Sequence, residues 1–343
     1  MKSIELAPGY LISPLVTGCW QLAADHGAAS DAFEEISQRW RAGIEAGYTT
    51  FDCADIYTGV EESLGRFVAT LEDPSRVQIH TKYVPDRSAL ATLDRRTVEQ
   101  AIDRSLRRLG RDAIDLLQFH WWDYAVPGAI EAAMWLDDLR RAGKIRHLGL
   151  TNFDLEHVAG VVGAGVQVTA VQVQYSVLDR RPEQEFASWC QQHGIGLLCY
   201  GALGGGLLSD RYRGQRDGAD AEANRSLTKY RLIVEEAGGW EALQETLQAL
   251  AATAERHGVS TALAALRWVL DRPGVAAVIV GASRRDRLRE TRDLWQTDWE
   301  DEKWPELEEL MGRRPGPQGA VYGLERDPTG PHLGILRMSL NAE

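Results

Sequence analysis

The chain lacks most of what would tie it to a membrane, a nucleic acid or a metal. No apolar run in its 343 residues approaches the roughly 18 that a spanning helix needs. The N-terminus, MKSIELAPGY, has neither the long apolar stretch nor the cleavage site of a signal peptide. Basic residues are outnumbered: 38 Lys and Arg face 50 Asp and Glu, a formal net charge of −12. Such a chain repels phosphate backbones and anionic bilayers, so neither nucleic acid nor membrane is expected as a partner. An anionic cofactor can still bind where a few basic residues converge. Cysteines number four (Cys19, Cys53, Cys190, Cys199) and form no C-x-x-C pair. They are expected as buried free thiols in a reducing, cytoplasmic compartment. The histidines show no metal-ligand spacing, and no metal is expected. Internal repeats and low-complexity tracts are also missing.

What is present is a regular alternation. Strand-like apolar runs occur at Leu15–Trp20, Thr49–Asp52, Val77–Lys82, Ile114–Phe119, Ile145–Thr151, Ala170–Tyr175, Ile195–Tyr200 and Val275–Val280. Between them lie amphipathic segments, among them Ala32–Ala46, Arg96–Gly110, Ala129–Ala142, Pro182–His193 and Trp240–His257. Asp31 and Asp94 stand at N-cap positions, and Gly47, Gly110, Gly143 and Gly194 where helices should stop. About eight βα units predict an α/β fold, a closed (β/α)8 TIM barrel. No G-x-G-x-x-G fingerprint supports the open, doubly wound alternative. Ile4–Leu6 and Tyr10–Ile12 around Pro8-Gly9 predict a short N-terminal hairpin that plugs the barrel bottom. The connection Gly201–Gly239 is too long for a plain βα link and reads as a lid or binding loop. Residues 1–312 form the barrel, and 313–343 form a Pro/Gly-rich C-terminal extension. Its apolar residues, Tyr322 among them, predict that it packs on the barrel and reaches the pocket rim.

In such a barrel the C-terminal strand ends line the active-site mouth. Those positions hold Trp20, Asp52, Lys82, His120, Thr151 with Asn152, Gln174, Tyr200 and Gly281, while Tyr57 follows Asp52 on the next loop. A phenol, with an ordinary pKa of about 10, is a poor acid at neutral pH. A nearby Lys82 ammonium would lower that value, and Asp52 would be the counter-ion a buried lysine needs. His120 can orient a carbonyl by donating a hydrogen bond to its oxygen. These four make a proton donor, its tuner, a counter-ion and an orienting group. Hydride must come from a cofactor, because no side chain supplies one.

The motifs resemble those of the aldo-keto reductase family. FDCADIYTGVEESLGRF (Phe51–Phe67), HTK (His80–Lys82), DLLQFHW (Asp115–Trp121) and GKIRHLGLTNF (Gly143–Phe153) are similar to its signatures and occur in its order, from about Leu15 to about Leu294. The resemblance implies catalytic roles for Asp52, Tyr57, Lys82 and His120. It implies that Tyr200 stacks on a nicotinamide whose carboxamide bonds to Asn152 and Gln174, with Trp20, Asp52 and Thr151 also near the cofactor. Gly201–Leu207, including Gly201, Leu203, Gly205 and Leu207, is similar to the family's pyrophosphate-covering loop. Gly281, Ser283, Arg284, Arg287 and Thr291 are similar to its adenosine 2′-phosphate segment, so NADP(H) is expected over NAD(H). Trp20, Tyr57, Trp121 and Trp122 are the expected substrate-pocket residues. The expected reaction is reduction of a small-molecule aldehyde or ketone. The alternatives are reduction of a C=N or C=C bond, or a non-catalytic cofactor-sensing subunit.

Overall fold

The computed structural model describes residues 3–23, 33–218, 225–281, 287–299, 304–336 and 338. Strands β1 (Ile4–Ala7) and β2 (Tyr10–Ile12) pair antiparallel. The remaining strands are β3 (Leu15–Gly18), β4 (Thr50–Asp52), β5 (Gln78–Tyr83), β6 (Ile114–Phe119), β7 (Ile145–Thr151), β8 (Ala170–Gln174), β9 (Gly196–Tyr200) and β10 (Val275–Gly281). They run parallel in sequence order and close where β10 pairs with β3. The eight predicted runs are these eight strands, displaced by no more than two residues at their ends. A short apolar run marks a buried parallel strand more firmly than it marks the strand's last hydrogen bond.

Helices follow the strands: α1 (Phe33–Glu45), α2 (Val60–Val68), α3 (Arg95–Leu109), α4 (Ala129–Arg141), α5 (Leu155–Gly163) and α6 (Glu185–Gln192). After β9 come α7 (Arg225–Glu236), α8 (Gly239–His257) and α9 (Thr261–Leu270); after β10 come α10 (Arg287–Gln296), α11 (Pro305–Arg313) and the short α12 (Gly323–Arg326). Asp94 caps α3 by accepting from the Thr97 N–H, and Gly110 ends it in a left-handed conformation. Asp31 lies outside the described residues. Among the described residues no helix is long and apolar enough to cross a membrane.

The hairpin closes the N-terminal end of the barrel. Leu6, Tyr10 and Ile12 pack with Val16, Leu116, Ala170, Leu198 and Ala277, one from each of five barrel strands. The Tyr10 hydroxyl lies 3.0 Å from Nε2 of buried His80. With that end filled, open space remains only toward the other end, where the strand termini carry polar groups. The long connection after β9 is not a bare loop: its second half is α7, a helix that the sequence reading left inside a lid or binding loop.

Candidate active site

A cavity of about 310 Å³ opens at the C-terminal strand ends. On its floor, Lys82 Nζ donates to Asp52 Oδ2 at 2.6 Å and to the Cys53 carbonyl oxygen at 2.8 Å. The other Asp52 oxygen accepts from Gln118 Nε2 (3.0 Å) and Gln172 Nε2 (2.7 Å), and Gln172 spends its second N–H on Gln118 Oε1 (2.8 Å). Every member is buried, so the carboxylate is satisfied in the way a buried charge requires. Burial works against the ammonium, but Asp52 and then Tyr57 hold Lys82 above the usual lysine range.

Tyr57 stands over this pair, with Lys82 Nζ 5.1 Å from its ring centroid. The sequence expectation that Lys82 lowers the Tyr57 pKa describes the smaller of two opposed effects. Burial is the larger effect and pushes the hydroxyl up to about 12, with Lys82 pulling the other way. The Asp52 carboxylate offsets part of the Lys82 pull.

His120 is buried, and burial followed by the nearby Arg326 charge brings it down to about 3. Its Nδ1 is 3.0 Å from the Thr151 carbonyl oxygen, and its Nε2 has no protein partner. Trp122 meets the ring edge-on at 4.3 Å and lines the cavity together with Trp20.

These residues sit on the strands and loops that a model of the Aldo/keto reductase family matches, over residues 14–311. The chain belongs to the aldo-keto reductase family, a family of oxidoreductases. It is 28% identical over 304 residues to aldo-keto reductase YhdN of Bacillus subtilis, covering 86% of this chain and 89% of that one. It is 27% identical over 312 residues to a 6-dehydroglucose reductase of Novosphingobium aromaticivorans, covering 86% and 90%. Flagellar radial spoke protein 5 of Chlamydomonas reinhardtii is 29% identical over 314 residues, and this chain spans 57% of its length. Among solved structures, a thermostable aldo-keto reductase bound to the inhibitor epalrestat superposes with a TM-score of 0.72 at 25% identity, over 90% of this chain and all of that one. A glycerol dehydrogenase of Gluconobacter oxydans shares the fold, with a TM-score of 0.76 at 24% identity, over 92% of this chain and 97% of that one.

The expected cofactor residues of this aldo-keto reductase divide into three groups. Trp20, Thr151, Asn152, Tyr200, Gly201, Leu203, Gly205 and Gly281 line the cavity with Asp52. Asn152 has a left-handed backbone (φ 62°), and its Oδ1 accepts from the Tyr200 hydroxyl at 2.8 Å. Gln174, Leu207 and Thr291 are buried away from the cavity. Gln174 Nε2 donates to Asp179 at 2.6 Å, and Thr291 accepts from the Tyr48 hydroxyl. Ser283, Arg284 and the side chain of Arg287 lie outside the described residues. Of the pocket tryptophans, Trp121 is also a correction: it is fully buried, its indole N–H shared between the Asp123 and Val126 carbonyls.

The loop glycines have an additional cause. Gly201 and Gly205 have positive φ, and a Cβ on either would lie 2.7 Å from Tyr230 of α7. Their absent side chains therefore let α7 close on the loop, besides leaving backbone open to the cavity. At Gly281 a Cβ would come 2.5 Å from Gln21 Oε1, so a larger residue there has to displace Gln21.

The tail reaches the cavity through Tyr322, as the sequence led one to expect, whereas the wall supplied by α7 was missed. Lys229 and Tyr230 of α7, Tyr322 and Leu336 line the cavity. Lys229 Nζ lies 4.8 Å from the Tyr200 ring centroid and 3.9 Å from Glu325 Oε1. Glu325 is buried and bonds Arg181, which also grips Asp179 through two nitrogens. Burial alone would raise Glu325, but Lys229 and Arg181 hold it below the usual glutamate range. Arg326 donates to the Asn152 and Trp121 carbonyls, both at 2.8 Å. The signal available for the rest was weak: Lys229, Glu325 and Arg326 are charged residues in segments to which the sequence reading gave no site role. No periodicity placed them opposite the strand ends.

Proposed function

We propose that this chain is an NADPH-dependent reductase of a small aldehyde or ketone, working in the cytoplasm. The observation that carries the reading is the buried Asp52–Lys82 pair with Tyr57 above it, inside a cavity large enough for a small substrate and one end of a nucleotide. The residues fit a nicotinamide: Tyr200 offers an aromatic face, Asn152 an amide, and Gly201, Gly205 and Gly206 backbone without side chains. When bound, the reduced cofactor supplies the hydride that the side chains cannot. Hydride delivery to a substrate carbonyl would leave negative charge on the carbonyl oxygen, and Tyr57 lines the cavity as the proton donor for it. Tyr57 gives its proton to that oxygen, completing the alcohol. A phenol held near 12 stays protonated at neutral pH, and the developing alkoxide is a far stronger base than phenolate, so the transfer runs downhill. Lys82 then faces the new phenolate and stabilises it until solvent returns the proton.

The preference for NADPH rests on Arg284 and Arg287, guanidinium groups suited to a 2′-phosphate that NADH lacks. Cofactor oxidation across a panel of aldehydes, ketones and keto sugars tests the reading. Arg287→Ala should weaken NADPH binding by about 1.5–3 kcal/mol while leaving NADH nearly unchanged. Equal losses for both nucleotides would move the 2′-phosphate contact elsewhere.

A further inference from the structure

The wall built by α7 and the tail carries a surplus of positive charge. Three cations, Arg181, Lys229 and Arg326, share it with two carboxylates, Asp179 and Glu325. Arg181 grips Asp179 through Nε (2.8 Å) and Nη2 (2.7 Å) and donates to Glu325 Oε2 at 3.2 Å. One guanidinium thus claims both carboxylates. Arg326 makes no ion pair among the described residues; two backbone carbonyls and the Tyr124 and Tyr322 rings hold it. Lys229 Nζ reaches Glu325 Oε1 only at 3.9 Å, beyond hydrogen-bond distance. Its three N–H donors have no hydrogen-bond partner among the described residues, on a side chain that is 15% exposed and lines the cavity. An ammonium so placed is costly. Burial lowers Lys229 from the ordinary lysine value, and Glu325 opposes that shift. An anion entering the cavity would meet the free donors and offset the surplus charge.

The position of Lys229 decides which anion. Nζ stands 4.8 Å from the ring centroid of Tyr200, 5.8 Å from that of Tyr230 and 6.0 Å from that of Tyr322. Tyr200 is the ring offered to the nicotinamide, the reacting end of the cofactor. The Tyr57 charge acts on both Tyr230 and Tyr322, so the proton donor lies within electrostatic reach of the same wall. We propose that Lys229 is an anion subsite for the substrate, and that the substrate is an oxo acid with its carbonyl at Tyr57 and its carboxylate at Lys229. The product of its reduction is then a hydroxy acid. A carboxylate suits the site better than a phosphate, because Glu325 at 3.9 Å offsets part of the ammonium charge and repels a dianion more strongly than a monoanion. An oxo compound without the carboxylate leaves the Lys229 donors unpaired, which is the stronger form of discrimination.

The inference rests on the reductase reading, and two measurements separate their failures. 4-Carboxybenzaldehyde and 4-formylbenzamide match in size, and both carry an electron-withdrawing group opposite the aldehyde, but only the first is an anion at neutral pH. With NADPH, kcat/KM should favour the acid by on the order of tenfold to a hundredfold, mainly through KM. The ratio should fall toward one in Lys229→Met, which keeps the apolar stem, and return in Lys229→Arg. Calorimetry on the wild-type protein needs no turnover: benzoate should bind the NADPH-loaded enzyme about tenfold more tightly than benzamide, or better. Equal turnover of acid and amide, or equal binding of benzoate and benzamide, overturns the subsite and leaves the reductase reading standing. A loss of NADPH affinity in Lys229→Met as large as the loss for the acid also overturns it, and places the ammonium on a cofactor phosphate. Preferential benzoate binding without NADPH oxidation by any carbonyl keeps the anion subsite and overturns the reductase reading.

Discussion

At Tyr57 two effects of similar origin oppose each other. Burial raises the phenol and Lys82 lowers it, and the outcome is a protonated group near 12. Tyr57→Phe keeps the ring against Lys82 and removes only the proton. Turnover should drop by roughly 10²–10⁴-fold with NADPH affinity nearly unchanged, as a fluorescence titration would show. A variant within threefold of wild type would sink the assignment. Asp52 makes the complementary case. Asp52→Asn leaves Lys82 buried without its counter-charge, and breaking such a pair costs about 3–5 kcal/mol. The raised folded-state pKa of Lys82 means that the pair's contribution is fully present below the ordinary lysine value and is lost only as pH rises through the higher folded value. Denaturation at pH 7 should therefore show the full loss, and the alkaline limb of the pH–rate profile should move to lower pH in the variant.

The segment around α12 shows how one short element can complete a site. Tyr322, Glu325 and Arg326 lie beyond residue 311, where the family match ends, yet they touch the cavity, Arg181 and the ends of β6 and β7. Glu325 is the negative member between Arg181 and Lys229, two cations that its loss would leave crowded together. Glu325→Gln keeps the shape and removes the charge. It should lower stability by about 3–5 kcal/mol, measured by urea denaturation. Deleting residues 314–343 removes Tyr322 and Leu336 from the cavity wall as well. Substrate KM and preference should change with NADPH binding retained, and unchanged preference in a folded truncation would confine the segment to a structural strap.

At the scale of the molecule, burial holds His80 at about 4 and His120 at about 3, so both are neutral at pH 7. Burial depresses both, so below the ordinary value near 6.5 the unfolded chain binds protons that the folded one refuses. Stability contributed by each is intact above that value and is lost as pH falls from about 6.5 toward the folded value. The slope is at most about 1.4 kcal/mol per pH unit for each histidine. Comparing urea midpoints of wild type and His120→Asn between pH 6.5 and 4 should show a shallower decline in the variant. Parallel lines would place the acid sensitivity in other groups.

The parts legible in the sequence share one cause. Strand runs such as Ile114–Phe119 and Ile145–Thr151 are set by short local stretches rich in apolar residues, and the signature residues Asp52, Tyr57, Lys82 and His120 stand at or just past strand ends. A βα repeat brings every strand end to the same rim, so the barrel follows from the rhythm and the rim residues follow from the barrel. Gln118 and Gln172 lie two residues below His120 and Gln174, on strands where parity alone could have found them. The rest depended on contacts that have no period. Trp121 and Trp122 are neighbours in sequence, but opposite side-chain directions put one in the core and the other on the cavity. Gln174 turned to Asp179, and Lys229 met Glu325 across 96 positions of chain because α7 and α12 fold over the same mouth. The surroundings of His120 came from the same closure: its Nδ1 meets the Thr151 carbonyl of the adjacent strand end, and the Arg326 charge reaches it from the tail. Local patterning determined which surfaces the chain must bury. Only the closed structure determined which polar groups those surfaces bring face to face, because their pairing energies depend on distances between segments remote in sequence.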